Sequence, residues 1–185
     1  MKKAFLIHGA YGNPQENWFP WLKEKLEQHN YKVITPTFPT PENQTLKNWN
    51  DVFDKYKEQL DEETILIGHS LGCPYILNVL QDIDKKVKAA YLVAAFHKAL
   101  GHSIDEINET FVEKDFDWSA IKRNCENIVM FSSDNDPYIP MEVSEELAQN
   151  LDADFNVVAD GGHLNSTAGY TEFEELLKKL EDLFV

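Results

Sequence analysis

Cysteine is scarce in this sequence: the chain of 185 residues contains only Cys73 and Cys125. Two such residues build no disulfide framework, and their spacing matches no cysteine-based metal site. Cys73 is expected to be a small core residue rather than a second nucleophile. Long apolar runs are also missing, since stretches such as 89–96 are far too short to span a bilayer. With no signal-peptide pattern in its first residues, the chain is expected to be cytoplasmic and to stay out of the membrane.

Positive charge is in short supply as well. The 17 lysines and arginines are outnumbered by 32 aspartates and glutamates, which leaves a formal net charge of −15. An acidic surface repels nucleic acid and anionic lipid, and no basic cluster reverses the sign locally. The glycine patterns that cradle phosphates, G-x-G-x-x-G and the Walker loop, are absent. The composition therefore predicts no nucleic-acid partner and no nucleotide or metal cofactor, and it favours a small neutral or cationic ligand.

Repeats, low-complexity tracts and Gly/Ser-rich linkers are absent too, so we expect residues 1–185 to form one domain. What the chain does show is an alternation of short β-branched or aromatic runs with amphipathic stretches. The runs predict strands at 4–7, 32–35, 64–67, 87–93, 127–131 and 155–158. The amphipathic stretches predict helices at 19–29, 45–60, 142–150 and 171–184, and a further one with Pro74 near its start. Buried strands separated by helices indicate a parallel sheet covered on both faces, with ligands bound beyond the carboxyl ends of its strands.

One motif follows such a strand directly. The run Gly68-His69-Ser70-Leu71-Gly72 matches G-x-S-x-G between a predicted strand and a predicted helix. In a nucleophile elbow, a sharp turn strains the serine and lifts its hydroxyl out of the sheet, and the glycines make room for nearby backbone. The motif alone is weakly specific, and Ser70 as an ordinary helix cap is the alternative. The strand–turn–helix context favours Ser70 as a nucleophile.

A serine nucleophile needs a base and an acid nearby. We therefore look for both at the same edge of the sheet, the one formed by the carboxyl ends of its strands, which we call the rim. His163 follows the last predicted strand, and Asp136 follows the fifth, which gives the chain order Ser, Asp, His of an α/β-hydrolase. Asp134 competes for the role of the acid, and a turn residue before a proline is the structural alternative for Asp136. We prefer Asp136 because D-x-x-I-P at this position resembles the acid loop of many α/β-hydrolases. His163 as a loop histidine without a function is the remaining alternative.

The loop after the first strand, His8-Gly9-Ala10-Tyr11-Gly12, is a candidate for the oxyanion hole. A tetrahedral intermediate needs two backbone N–H donors, one from the residue after the nucleophile and one from this loop. Leu71 is the expected first donor and Ala10 the second, with Tyr11 as the alternative to Ala10. His8 is expected to tie the loop down through a ring hydrogen bond. The competing interpretation is that the two glycines of the loop merely form a turn.

Several segments spread over nearly the whole chain share a pattern with one known group of proteins. They are Phe5–Gly9, Asn17–Leu22, Ile65–Gly72, the run from Asp117 through Cys125 to Pro137, and Gly162-His163. In combination they resemble the small serine hydrolases related to retinoblastoma-binding protein nine, a group that includes bacterial predicted esterases. The resemblance implies a compact α/β-hydrolase fold, a three-layer sandwich with a reduced, mainly parallel sheet of about six strands and little or no lid. It also implies carboxylesterase-type activity and a triad that maps onto Ser70, Asp136 and His163.

One property of the animal member does not carry over. Binding to the retinoblastoma protein depends on an L-x-C-x-E segment, and Leu71-Gly72-Cys73 continues here as Pro74-Tyr75. We therefore expect no such partner, and we expect a monomer or small homo-oligomer that acts on a small acyl substrate. The alternatives are a non-catalytic binding protein on a hydrolase fold, and a peptidase, thioesterase or acyltransferase that uses the same triad.

The substrate pocket is the least determined part of the sequence. Tyr11, Trp18 and Trp118 are candidates to line an acyl pocket, as is Trp21, although core packing is the better interpretation for at least two of these aromatic residues. The segment 97–119 is short, acidic and weakly patterned. It predicts a modest cover over a rather open site.

Overall fold

The computed structural model describes residues 1–184 and contains a sheet of six parallel strands. The strands are β1 (Lys3–Ile7), β2 (Lys32–Ile34), β3 (Thr64–His69), β4 (Val87–Val93), β5 (Cys125–Ser133) and β6 (Asp154–Val158). Their order across the sheet is β2-β1-β3-β4-β5-β6. The chain thus runs outward from β1 to β2 and returns to β3 on the other side of β1. Because the winding reverses between β1 and β3, a ligand crevice is expected beyond the carboxyl ends of these two strands.

Seven α-helices accompany the sheet in residues 1–184. They are α1 (Phe19–Gln28), α2 (Leu46–Lys57), α3 (Gly72–Asp82), α4 (Asp105–Val112), α5 (Trp118–Asn124), α6 (Met141–Leu151) and α7 (Glu174–Glu181). Five of them, and all six strands, lie where the sequence pattern predicts them. Within this part of the chain no helix is long and apolar enough to cross a bilayer.

Alternating side chains of the strands separate two hydrophobic clusters, one on each face of the sheet. In β1, Phe5 and Ile7 belong to one cluster, whereas Ala4 and Leu6 belong to the other. Helices α2, α3 and α6 cover the first face, and helices α1 and α7 cover the second. Both faces are therefore covered, which is the reason why the central strands β1, β3 and β4 are buried at nearly every position. The result is the three-layer α/β arrangement that the sequence predicts.

The region 97–119 contains α4 and the start of α5, neither of which the apolar pattern predicts. Helix α4 has only eight residues and opens with two acidic ones, Asp105 and Glu106. It is held by amide side chains from elsewhere in the chain: Asn78 of α3 donates to the Phe111 carbonyl (2.9 Å), and Gln44 donates to the Ile107 carbonyl (2.8 Å). We call residues 97–112 the cap segment. The cover is small, but it lies directly beside the candidate site.

Candidate active site

Ser70 occupies the sharp turn between β3 and α3. Its backbone φ is 53°, in the left-handed region that L-residues rarely adopt, and its N–H donates to the Val93 carbonyl at 2.9 Å. A Cβ added to Gly72 would lie 2.3 Å from the Ile7 carbonyl oxygen, and one on Gly68 would lie 2.8 Å from Ile76 Cδ1. The glycines of the motif are therefore required by the closeness of β1 and α3. Helix α3 has no side-chain cap, so the interpretation of Ser70 as a helix cap does not fit.

Asp136 and His163 meet at the carboxyl ends of β5 and β6. Asp136 Oδ2 lies 2.9 Å from His163 Nδ1, and Oδ1 lies 3.1 Å from the same nitrogen. Only 3% of the Asp136 side chain and 11% of the His163 side chain are exposed. Asp136 Oδ1 also accepts hydrogen bonds from the backbone N–H groups of Tyr138 (2.9 Å) and Ile139 (3.2 Å). Since a carboxylate only accepts, His163 carries its proton on Nδ1 and leaves Nε2 as the free base.

Asp134, the alternative acid, lies elsewhere. Its Oδ1 accepts the backbone N–H of Asp160 at 2.8 Å, on the exposed surface. The residue between the two aspartates, Asn135, accepts the N–H of Gly162 at 2.7 Å. Both side chains therefore shape the loop that carries His163, whereas Asp136 alone of the three contacts the imidazole.

Two residues behind His163 fix its backbone. His69 Nε2–H donates to the His163 carbonyl (2.9 Å), and the two imidazoles stand edge to face at 4.9 Å. Trp18 Nε1–H donates to the carbonyl of the next residue, Leu164 (3.0 Å). Burial lowers the pKa of His69 to about 3, helped by the nearby charge of His163 when that ring is protonated. His69 therefore stays neutral and acts as a hydrogen-bond donor, not as a second base.

The loop after β1 is held in place by side-chain hydrogen bonds on its buried side. His8 lies on its buried side: Nδ1–H donates to the Gly9 carbonyl (2.8 Å), and Nε2 accepts the N–H of Phe38 (3.0 Å). The N–H of Tyr11 is already used, because it donates to Thr40 Oγ1 at 2.7 Å. Among residues 1–184, no acceptor is found for the N–H groups of Ala10 and Leu71. Both of these N–H groups are therefore available to a ligand.

Ser70 and His163 line one cavity of about 320 Å³ at the crevice between β1 and β3. The other lining residues are Ala10, Tyr11, Phe96, Leu100, His102, Ile104, Asn108, Tyr138, Ile139 and Asn165. The structure contains no hydrogen bond between the Ser70 hydroxyl and the His163 ring within residues 1–184. Catalytic hydrogen bonds of this kind are often long in unliganded enzymes and tighten when substrate binds.

Of the aromatic residues predicted as possible pocket residues, one lines the cavity and the others do not. Tyr11 lines the cavity and is 62% exposed. Trp18 does not line it: this side chain is completely buried in the cluster under α1 and α7, where it supports the His163 loop. Trp118 is also wrong as a pocket residue, because it packs against His97 and Phe116 at the start of α5. Trp21 packs against the α1 and α7 cluster as well.

Most of the cavity wall comes from residues that the sequence did not single out. Four of them belong to the cap segment or directly precede it: Phe96, Leu100, Ile104 and Asn108. Tyr138 and Ile139 lie within the D-x-x-I-P loop, so the resemblance of that loop was the one available signal. The cap residues follow no motif, because their place in the wall depends on contacts with distant parts of the chain.

Neither cysteine has the features of a reactive thiol. Cys73 is completely buried and its thiol faces the Val93 carbonyl at 3.3 Å. Burial raises the pKa of the Cys73 thiol far above its ordinary value and raises the pKa of Cys125 to about 12. Because the thiolate is the reactive form, both side chains are core residues in function as well as in position.

A larger open groove of about 810 Å³ lies between β6 and α7. Its lining includes Val157, Tyr170 and Lys178, and none of the residues at the Ser70 cavity. Size therefore does not identify the site here, whereas the meeting of a strained serine, an imidazole and a carboxylate does.

Comparison with known proteins identifies the family and the fold. The family described as serine hydrolase matches residues 4–182. The protein YdeN of Bacillus subtilis (strain 168) is 31% identical over 185 residues, which cover 99% of this chain and 96% of YdeN. The serine hydrolase RBBP9 of Rattus norvegicus is 29% identical, with 98% and 95% of the two chains covered. The crystal structure of the B. subtilis ydeN gene product superposes with a TM-score of 0.94 at 30% identity, over 100% of this chain and 99% of that one. The chain thus has the α/β-hydrolase fold and belongs to the family of small serine hydrolases related to RBBP9.

Proposed function

We propose that this protein is a carboxylesterase-like serine hydrolase that cleaves a small ester through an acyl-enzyme on Ser70. One observation carries the proposal: a serine held at positive φ shares a cavity with a histidine whose Nδ1 is bonded to a buried aspartate. Each of these residues follows a different strand of the sheet. A surface that merely binds a ligand requires neither the strained serine nor the buried acid.

In the first step, Ser70 Oγ attacks the ester carbonyl carbon while His163 Nε2 takes the hydroxyl proton. Asp136 keeps the proton on Nδ1 and stabilises the imidazolium that forms. The carbonyl oxygen becomes an oxyanion, and the N–H groups of Ala10 and Leu71 are the donors that we assign to it. Leu71 is the N-cap of α3, so its N–H also has the favourable potential of a helix N-terminus.

The tetrahedral intermediate then breaks the bond to the alcohol oxygen, which receives the proton from His163. Water enters, loses a proton to His163 Nε2 and attacks the acyl carbon. The second intermediate releases the carboxylic acid and returns the proton to Ser70. Every proton in the cycle is thus held by His163, and no cofactor is needed.

The cavity favours a small uncharged substrate. No aspartate, glutamate, lysine or arginine of residues 1–184 is among its lining residues. Five of the lining residues have aliphatic or aromatic hydrocarbon side chains: Ala10, Phe96, Leu100, Ile104 and Ile139. A charged acyl group placed there would lose hydration without finding a counter-charge.

The test compares one acyl group presented as an ester, a thioester and an aminoacyl amide, with the wild type and Ser70→Ala. We expect the ester to react fastest and the variant to lose activity at least about 10³-fold. A Ser70→Ala protein with full activity would disprove the proposed mechanism. Preference for the thioester or the amide would keep the mechanism and reassign the substrate, and a folded wild type inert toward all three would favour a binding protein.

A further inference from the structure

Asn108 is the one buried amide side chain in the cavity wall. It lies on the inner face of α4 and is only 2% exposed, yet it lines the same cavity as Ser70. A buried amide next to an otherwise apolar wall requires hydrogen-bond partners, because a buried polar group without one loses its hydration and gains nothing in return. The partners present in the structure determine which of its two polar atoms, Oδ1 or Nδ2, has no hydrogen-bond partner in the protein.

A chain of hydrogen bonds fixes the orientation of this amide. At one end, the backbone N–H of Tyr11 can only donate, so Thr40 Oγ1 accepts this hydrogen bond (2.7 Å), and the Thr40 hydroxyl in turn donates to Gln44 Oε1. Gln44 Nε2 then donates to the Ile107 carbonyl (2.8 Å), which can only accept. Both ends of the Gln44 amide are thereby assigned by groups that have no alternative role.

The same Gln44 nitrogen donates to Asn108 Oδ1 at 3.0 Å. The oxygen of Asn108 is therefore occupied, and its Nδ2 is the remaining group. No protein acceptor for Asn108 Nδ2 is found in residues 1–184. Only two buried polar side-chain atoms in that part of the chain are sealed off without a partner, His97 Nδ1 and Ser132 Oγ, so Asn108 Nδ2 retains access to open space. The cavity is the open space that Asn108 lines.

The position of Asn108 indicates which part of a substrate it meets. Tyr11 and Tyr138 are 62% and 51% exposed, so we place the mouth of the cavity beside them, and we place its inner end beside the buried Phe96 and Asn108. The alcohol of an ester must leave the cavity before water attacks the acyl-enzyme, so we place the alcohol at the mouth of the cavity. The acyl chain stays on Ser70 and fits the inner end.

We propose that Asn108 is a specificity-determining residue whose Nδ2–H donates a hydrogen bond to an oxygen carried by the acyl chain of the substrate. The preferred substrates are then neutral esters of oxo- or alkoxy-substituted acids rather than of plain alkanoic acids. The inference rests on the proposed esterase function and adds the substrate class. A site built to satisfy such an oxygen discriminates against analogues that lack it, because the buried donor is then left unpaired.

The experiment measures kcat/KM for two matched pairs of p-nitrophenyl esters: pentanoate with 4-oxopentanoate, and hexanoate with 5-oxohexanoate. The quantity compared is the oxo/alkyl ratio, which removes general losses of activity. Asn108→Leu keeps the approximate size and removes the donor. Asn108→Asp, assayed at pH 8, keeps the acceptor for Gln44 Nε2 and replaces the donor by an acceptor. Ile104→Val is the control, because it changes the same wall and keeps the amide.

We expect the oxo/alkyl ratio of at least one pair to fall about tenfold or more in both Asn108 variants and to stay within about twofold in Ile104→Val. Labelling of Ser70 by a fluorophosphonate, followed by mass, shows for each variant that the nucleophile is intact. A labelled, active wild type whose ratios are unchanged in both Asn108 variants overturns the role of Asn108 alone. A folded wild type that neither labels nor hydrolyses any of the esters overturns the proposed function, and this inference with it.

Discussion

The rim of the sheet and the cap segment both contribute to the Ser70 cavity, but they are held in place in different ways. On the rim, backbone packs on backbone: Gly72 leaves no room for a Cβ beside the Ile7 carbonyl, and the Ser70 N–H bonds the Val93 carbonyl. The cap segment is instead held by hydrogen bonds from side chains elsewhere in the chain, above all from the amides of Gln44 and Asn78. In the proposed mechanism, the rim therefore holds the reacting atoms, and the cap segment shapes what can reach them.

The rim and the cap segment should therefore respond differently to amino-acid substitutions. A backbone contact cannot be removed by one side-chain substitution, except by adding an atom where none fits. A side-chain hydrogen bond can be removed singly, at a cost of about 1–3 kcal/mol when a buried partner is left behind. Substitutions on the rim should therefore affect chemistry or folding severely, whereas substitutions in the cap segment should be milder and more specific.

The largest effect is expected for the acid on the rim. Asp136→Asn keeps the shape of the side chain but no longer holds the Nδ1 proton of His163, so kcat/KM for a small ester should fall about 10³–10⁴-fold. Asp134→Asn is the matched control two residues away and should stay within about threefold. Steady-state kinetics of the two variants tests the assignment, and a greater loss in the Asp134 variant would reverse it.

The glycines give the next contrast. Gly72→Ala places a Cβ 2.3 Å from the Ile7 carbonyl oxygen, and we expect it to lower the free energy of unfolding by about 3 kcal/mol or more. Gly101→Ala in the cap segment meets no atom within 4 Å, so only the cost of its positive φ remains, about 1 kcal/mol. Urea unfolding measures both, and equal losses would remove the distinction between the two regions.

A side-chain contact of the cap segment should cost less and leave the nucleophile alone. Asn78 Nδ2 donates to the Pro74 and Phe111 carbonyls, at 2.8 and 2.9 Å. Asn78→Ala should therefore lower the free energy of unfolding by about 2 kcal/mol. The rate at which a small fluorophosphonate labels Ser70 should stay within about threefold of the wild type. A loss of labelling in a folded variant would mean that the cap segment positions the rim.

Counted per pH unit, the smallest effect is the one expected from the buried His69. Its pKa is about 3 in the folded protein and about 6.5 in the unfolded chain, so between these values the unfolded state binds the extra proton. Stability from this residue is complete above about pH 6.5 and is lost as the pH falls toward 3, by about 1 kcal/mol per pH unit. Burial also lowers the pKa values of His8 and His97, which adds to the slope in the same direction.

Urea unfolding at several pH values between 4.5 and 7 measures that slope. His69→Gln, which retains a side-chain N–H donor, should show a shallower dependence than the wild type. An unchanged slope would mean that His69 is protonated in the folded protein. That result would also question its role as a neutral donor to the His163 carbonyl.

The sequence predicted the rim well, and the reason is physical. Ser70, Asp136 and His163 all follow parallel strands, and the ends of such strands meet at one edge of the sheet whatever the remaining details. Trp18 shows where this reasoning stops. It is an aromatic residue near the rim, but only the fold decides that its ring points into the core under α1, where it bonds the Leu164 carbonyl.

The cap segment could not be predicted in the same way. Helix α4 is short, and its partners Gln44 and Asn78 lie more than 30 residues away in the chain. Asn108 belongs to no motif, and its free donor is defined only by the hydrogen bonds of its neighbours. Local pattern predicts elements and strand ends, whereas a wall built from remote side chains requires the three-dimensional structure.

The most direct test of the central claim is covalent labelling of Ser70. The wild type and Ser70→Ala are treated with a fluorophosphonate and weighed intact. We predict one adduct on the wild type and none on the variant, because the Asp136–His163 pair activates this hydroxyl alone. A folded wild type without an adduct, or a Ser70→Ala protein that is labelled equally, would contradict the assignment of Ser70 as the nucleophile.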